Sequence, residues 1–378
     1  MLAGGAPPIA HRRPPRGRYG GPVADRDREA PDGLPRYRTG DAQLDARIVE
    51  LLDAARVDED RDLLFELLTS AVRMGRERMG RADLKIANAT LKEMRYAFGV
   101  FAPYRNVRKA ALFGSARTAP DEPAYGAARE VGRMLVEAGW MTITGGGPGI
   151  MTAGIEGAGP EDSFAVSIVL PFEPSSGGAM VAEGRSINFR YFFNRKLTFM
   201  KEASGYVLFP GGYGTMDEAF ELLTLLQTGR ETPKPVVVLE PRGDAYWRSF
   251  RHFLEVELLD AGLVAPEDLD LFHLTSDPAD AVEHLVSFYR TYHSMRYVGG
   301  RLVLRLQHEI SDADLERLNH AYADIVAVGE IERCGPAPAE VADDEHLLLP
   351  RLRFRFVNTR FARLHALVRD LNALDAAH

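Results

Sequence analysis

Residues Tyr206–Gly229 read YVLFPGGYGTMDEAFELLTLLQTG. An apolar run ends at proline and two glycines, and a stretch with helical spacing follows at once. The segment predicts a buried strand, a glycine turn and a helix. The same sequence of signals recurs outward in both directions. Upstream lie KAALFG (109–114), a helical stretch over 121–139, WMTIT (140–144) running into GGGPGIM (145–151), and FAVSIVLPF (164–172). Downstream lie KPVVVLE (234–240), a helix over 245–259, LFHLT (271–275) and a closing helix in DPADAVEHLVSFYRTY (277–292). Alternating strand and helix with short connections predicts an α/β fold, a doubly wound parallel sheet with helices on both faces. The strands are nearly unbroken apolar runs, as strands covered on both faces should be. Ligands in such sheets bind beyond the carboxyl ends of the strands, where the glycine clusters fall.

The flanks differ in kind. Residues 1–40 are rich in Pro, Gly and Arg and predict a disordered tail. They carry eight arginines and four acids, so the rest of the chain holds −12 of the overall −8. Residues 41–106 predict a helical N-terminal segment, a cap on the main domain that spans 107–294. Residues 295–378 predict a small α+β domain of coarse order β-α-β-β-α, ferredoxin-like. Its strands are RLVLRL (301–306), GEIERC (329–334) and LRFRFV (352–357), and the arginines of RLRFR (351–355) are expected on a solvated face. An effector-binding or assembly role for this block is a further expectation.

Composition narrows the function. The chain has 378 residues, 46% of them hydrophobic and 26% charged, a globular balance. No apolar run is long enough to span a bilayer, and no secretory h-region is seen, so a cytoplasmic location without a membrane partner is expected. The single cysteine, Cys334, allows no intrachain disulfide. The acidic balance argues against a nucleic-acid partner, and no metal-ligand spacing occurs among the histidines, so neither metal nor cofactor is expected.

Three strand-to-helix turns form a candidate nucleotide cradle: Gly114 and Ser115; Gly145, Gly146, Gly147, Gly149 and Met151; and Gly211, Gly212, Gly214 and Thr215. Glycine lets the backbone approach a ligand closely, and a helix N-terminus presents unpaired N–H groups to an anion. Thr215 can cap its helix and donate a hydroxyl to phosphate. Asp217 and Glu218 diverge by about 100° around the helix, so one of them faces the ligand. Arg195 and Lys196, in FFNRKLTFM (192–200), place cations at a helix start, where they oppose the dipole.

The pair RK (195–196) and PGGYGTMDE (210–218) resembles the Pro-Gly-Gly-x-Gly-Thr-x-x-Glu signature of the LONELY GUY (LOG) family of nucleotide 5′-monophosphate phosphoribohydrolases, often misnamed lysine decarboxylases. The resemblance covers roughly 107–290 and looks like the longer-chain bacterial branch. It departs from the small cytokinin-activating members at Phe192, Phe193 and Asn194, where those show Met-His-Glu. It implies a Rossmann-like sheet, a homodimer or higher homo-oligomer, and hydrolysis of a nucleoside 5′-monophosphate, AMP-like or a cytokinin riboside monophosphate, to free base and ribose 5-phosphate. By the same resemblance Arg195 and Glu218 are the catalytic pair, and Gly211, Gly212, Gly214 and Thr215 hold the 5′-phosphate. A non-catalytic carrier or sensor of a phosphorylated ligand, similar to molybdenum-cofactor carriers, is the alternative. Decarboxylation on a pyridoxal Schiff base is not favoured, because no lysine stands out for it.

Overall fold

The structure, a computed structural model, describes residues 34–169 and 181–374. The tail expected over 1–40 lies outside the described residues up to 33, as does most of the long loop before Ser186. The chain divides between Ala87 and Asn88 into two compact units. The first contains helices α1 (Ala42–Ala54) and α2 (Arg61–Arg76) and the start of α3 (Arg81–Phe101). The Asp41 carboxylate caps α1 by accepting from the N–H groups of Gln43 and Leu44. Ile48, Leu52 and Phe65 close a small apolar core between α1 and α2.

The second unit holds a seven-stranded, all-parallel sheet. Its elements in chain order are β1 (Lys109–Phe113), α4 (Pro123–Glu137), β2 (Met141–Thr144), α5 (Ile150–Ala158), β3 (Ser163–Ile168), β4 (Ser186–Phe189), α6 (Phe192–Glu202), β5 (Gly205–Leu208), α7 (Tyr213–Gln227), β6 (Val236–Leu239), α8 (Tyr246–Phe253), β7 (His273–Thr275) and α9 (Pro278–Ser287). The spatial order is β4-β3-β2-β1-β5-β6-β7. The winding therefore reverses between β1 and β5, and the crevice between their carboxyl ends is where such a sheet takes a ligand. Strand alternation feeds two apolar layers. Phe113, Tyr206 and Leu208 face Phe199 of α6, Leu222 of α7 and Trp247 of α8. Leu112, Val207 and Phe209 face Val131 of α4, Ile150 of α5 and Leu285 of α9. The fold is thus the expected Rossmann-like α/β class. The sequence reading had six strands. The seventh, β4, is four residues long, carries Ser and Asn, and pairs on one side only, so it lacks the apolar run of the others.

A second sheet is antiparallel and built from β8 (Tyr292–Val298), β9 (Arg301–Leu306), β10 (Val326–Cys334) and β11 (Arg351–Phe356), in the order β10-β11-β9-β8. Helices α10 (Asp312–Ala321), α11 (Pro338–Ala342) and α12 (Phe361–Asn372) complete it. The expected β-α-β-β-α run is present as β9, α10, β10, β11 and α12, with β11 between β9 and β10, and the unexpected strand is β8, which precedes the run and pairs at the edge beside β9. β8 and β9 join directly through Gly299 and Gly300, both with positive φ, the two-residue turn that matches hairpin twist. The polar content of YHSMRYV hid β8 from sequence reading. The arginine face of β11 is also not uniformly solvated. Arg351 is buried and, with Arg305, surrounds the fully enclosed carboxylate of Glu340, at 3.3 and 2.7 Å, while Arg355 is exposed. α12 ties the small sheet to the large one. The Asn372 side-chain oxygen accepts from the N–H groups of Thr291 and Tyr292 at 2.9 Å each, and the His365 ring meets the Lys234 carbonyl at 2.9 Å.

Candidate active site

The loops after β1, β2 and β5 interlock before they offer anything to a ligand. The Ser115 N–H donates to the Pro210 carbonyl at 3.1 Å, and the Ile150 N–H donates to the Ser115 carbonyl at 3.1 Å. Each contact needs glycine nearby. A Cβ on Gly114 would lie 2.7 Å from Ile150, one on Gly149 would overlap the Ser115 carbonyl, and one on Gly211 would overlap the Thr215 hydroxyl. Gly149 also has φ +68°, where a side chain is strained. Part of the glycine content therefore packs loop on loop. Gly212 and Gly214 differ, since nothing lies within 4 Å of their Cβ positions.

These loops line a cavity of about 770 Å³ at the β1–β5 crevice. Of the residues expected there, Gly114, Ser115, Gly145, Met151, Arg195, Gly211, Gly212, Gly214, Thr215 and Glu218 do line it. Gly146, Gly147, Gly149 and Lys196 do not. Gly146 packs under Ser167, Gly147 against Met151, and Gly149 against the Ser115 loop. Thr215 is not the cap of α7. The N-cap is Gly212, and no side chain bonds the first turn. Met216 is the first residue of the helix whose N–H finds a carbonyl, that of Gly212. The preceding N–H groups and the positive end of the dipole are left to the cavity.

The side walls come from α6 and α7. Glu93 fixes the start of α6, accepting from the Arg190 N–H at 3.1 Å and from the Asn194 amide at 2.8 Å. The next residue, Arg195, donates its Nε–H to the Val166 carbonyl at 2.9 Å and lies over the Phe199 ring. Its terminal nitrogens occupy the space a side chain on Gly145 would fill. Glu218, one turn into α7, is 6% exposed, and its Oε2 has no hydrogen-bond partner among the described residues. Burial pushes its carboxyl up from 4.5 to about 7, against the opposing pull of Lys196 and Arg195. Burial likewise lowers Arg195, with Glu218 opposing. Lys196 stands behind Glu218 in a carboxylate cage, 2.8 Å from Asp217, 2.6 Å from Glu221 and 3.9 Å from Glu218. Asp217 is mostly exposed while Glu218 is buried, yet both line the cavity, so the expectation that one of the two acids faces it is not met.

Two lining groups had no assigned role in the sequence. The Tyr246 hydroxyl donates to the Gly211 carbonyl at 2.6 Å and holds the glycine turn from α8. It belongs to no motif, and only the fold brings it near. Arg117 lies in the turn after β1 and adds a cation to the cavity lining. Among the described residues there is no His, Cys, Asp and Glu group able to hold a metal ion, and no helix long and apolar enough to cross a membrane.

The family described as Possible lysine decarboxylase matches residues 148–285. A probable cytokinin riboside 5′-monophosphate phosphoribohydrolase of Oryza sativa subsp. japonica is 32% identical over 145 residues, 37% of this chain and 56% of that protein. A cytokinin riboside 5′-monophosphate phosphoribohydrolase of Arabidopsis thaliana is 28% identical over 151 residues, 38% of this chain and 66% of that protein. The chain thus spans less than two thirds of the length of these curated relatives. Among solved structures, the molybdenum cofactor binding protein of Rippkaea orientalis aligns at 18% identity and a TM-score of 0.33, over 47% of this chain and 94% of its own. The molybdenum cofactor carrier protein of Chlamydomonas reinhardtii aligns at 21% and 0.32, over 48% of this chain and 99% of its own.

Proposed function

We propose that the core of this chain is a member of the LONELY GUY (LOG) family and hydrolyses the N-glycosidic bond of a nucleoside 5′-monophosphate to free base and ribose 5-phosphate. The observation that carries the reading is Glu218, a buried carboxylate with an unpartnered oxygen, facing a cavity whose floor is an uncapped helix N-terminus. A phosphate on the free N–H groups of Gly212–Thr215 sits about one helical turn, roughly 5 Å, from Glu218. That offset puts the carboxylate beside the ribose.

In this mechanism the C1′–N bond breaks with its electron pair leaving on the base, and C1′ takes on oxocarbenium character. Ionised Glu218 stabilises that charge and accepts a proton from the water that attacks C1′; the departing base takes one proton from solvent and Glu218 returns one, so the sum is one water added across the bond. A base with a pKa near 7 suits this task at neutral pH. Arg195, held by Val166, keeps Glu218 from rising further and presents its terminal N–H groups to the bound nucleotide. A passive carrier leaves Glu218 buried at a cost and without a task, so the hydrolase reading is preferred.

Incubation of the purified chain with AMP, GMP, CMP, UMP and a prenylated adenosine monophosphate, followed by chromatography, tests the reading. Free base from at least one supports it and defines the base preference. Binding without base release from any of them replaces it with the carrier. Because the ionised carboxylate is the working form, kcat/KM for the preferred substrate should fall about tenfold per pH unit below about 7. A flat profile from pH 5.5 to 8 removes Glu218 as the base. The homo-oligomer implied by the family resemblance is supported by the exposure of Phe192, Phe193 and Leu197 on α6 and Phe220 on α7, of which Phe192 also lines the cavity. Light scattering should return at least twice the 41.8 kDa of one chain; a monomer mass excludes this assembly.

A further inference from the structure

A second cavity, of about 300 Å³, lies at the opposite edge of the large sheet, where the strands begin and β8 passes. β1 separates the two sites. Lys109 opens that strand at the second cavity and Gly114 follows it at the first, five residues or roughly 16 Å away. The lining of the second cavity carries five cations, Arg105, Arg108, Lys109, Lys201 and Lys234, against one carboxylate, Glu202. In a chain of net charge −8 this concentration of positive charge is anomalous.

Three of the cations have structural employment. Lys109 donates to the carbonyls of Tyr104 and Val107 at 2.7 and 2.9 Å. Lys234 closes the carboxyl end of α6 by donating to the Met200 carbonyl at 2.6 Å, and it pairs with Glu231 at 3.3 Å. Lys201 pairs with Glu202. Arg108 is different. Its guanidinium lies over the Tyr289 ring, 3.4 Å from the centroid, with no carboxylate and no hydrogen-bond acceptor among the described residues. A guanidinium stacked this way keeps its planar fork of N–H donors open at the edge. Arg105 reaches only the Ala102 carbonyl in its own turn, at 3.3 Å, and is otherwise exposed.

The surrounding cations are held partly out of water. Burial lowers the pKa of Arg108, of Lys109 and of Lys234. His293, on the same wall, is pushed down to about 4 by burial and then by the fields of His346, Arg108 and Arg305. Each of these shifts shrinks when an anion enters. Capping explains the two buried lysines, but it leaves the stacked, partnerless guanidinium unexplained.

We propose that this cavity is a binding site for a small polyanion of the diphosphate class, gripped by the fork of Arg108 and by Arg105. Its volume is at the lower limit of small-molecule sites, room for a diphosphate with a modest substituent. Two open guanidinium groups match a ligand with at least two negative charges. The site does not depend on the hydrolase reading, since its occupancy is a binding property of the other end of the sheet.

Calorimetric titration of the full chain with inorganic pyrophosphate tests the proposal, using wild type, Arg108→Gln, Arg105→Gln and Arg195→Gln. Arg195→Gln controls for pyrophosphate in the nucleotide cavity, and exposed Arg105 can be replaced without risk to folding. The expected result is a class of sites weakened at least about tenfold by Arg108→Gln and several-fold by Arg105→Gln, and retained in Arg195→Gln. Wild-type affinity in both Arg105→Gln and Arg108→Gln overturns the proposal. So does binding that is lost only with Arg195→Gln. Deleting 296–378 is no substitute, because it cuts β8 and strips α12 from a core that includes Phe288 and Tyr292.

Discussion

Glu218→Gln is expected to lower kcat by about a thousandfold or more while making the protein more stable at pH 8. The loss follows from the task assigned to the carboxylate: an amide can neither accept the proton of water nor balance charge at C1′. The gain follows from burial. A carboxyl whose pKa is raised from 4.5 to about 7 by folding prefers the neutral form in the native state. Below pH 4.5 both folded and unfolded chains are protonated there, and ionisation imposes no penalty. The penalty grows as pH rises between the two values and is complete above about 7. The 2.5-unit difference corresponds to roughly 3 kcal/mol. Glutamine removes the penalty, so the variant should melt higher than wild type at pH 8, and the gap should close toward pH 4.5. Melting curves at the two pH values together with base release provide the measurement. Wild-type turnover would remove Glu218 from the chemistry. An equal melting difference at both pH values would remove the ionised, buried carboxylate.

Gly157→Ala should destabilise the fold by about 3 kcal/mol or more, although Gly157 lies outside the nucleotide cavity. Propensity alone points the other way, since alanine in a helix is favoured over glycine by roughly 1 kcal/mol. Here a Cβ would overlap the Arg129 carbonyl oxygen and approach its carbon to 2.7 Å. The obstacle is backbone of α4, which cannot rotate aside. Gly132 makes the reciprocal approach, with its Cβ position overlapping the Gly154 carbonyl. α4 and α5 therefore meet backbone to backbone, and a methyl group must push α5 outward. The same helix seats Ile150 and Gly149 on the Ser115 loop, so affinity for the monophosphate should fall as well. Urea unfolding measures the first effect. An unchanged midpoint would mean that α5 shifts freely and that the close packing is unimportant.

The two predictions draw on different kinds of information. The strand, bare backbone and helix start around PGGYGT are local properties that left both Asp217 and Glu218 open, and only the family resemblance singled out Glu218. Nothing local reveals that its Oε2 is buried without a hydrogen-bond partner among the described residues. That depends on α6, whose Arg195 is held by the Val166 carbonyl and whose Lys196 is drawn to Asp217 and Glu221. Gly157 carries no motif at all. Lys196 shows the limit from the other side. Adjacent to Arg195 in sequence, it turns instead into the cage of Asp217 and Glu221, because successive helical residues point about 100° apart.

What the chain alone determined was the alternation of buried strands and amphipathic helices, the placing of glycine turns at strand ends, and the residues proposed to hold a phosphorylated sugar. These follow from steric and hydrophobic preferences that act over a few residues. Only the tertiary structure decided which glycines face the cavity and which seat one loop on another. It also decided that β4 and β8 are strands, that Arg351 is buried beside Glu340, and that Arg108 has no carboxylate partner among the described residues. Burial, pairing and proton affinity depend on groups brought together from distant parts of the chain, and short-range pattern carries no record of them.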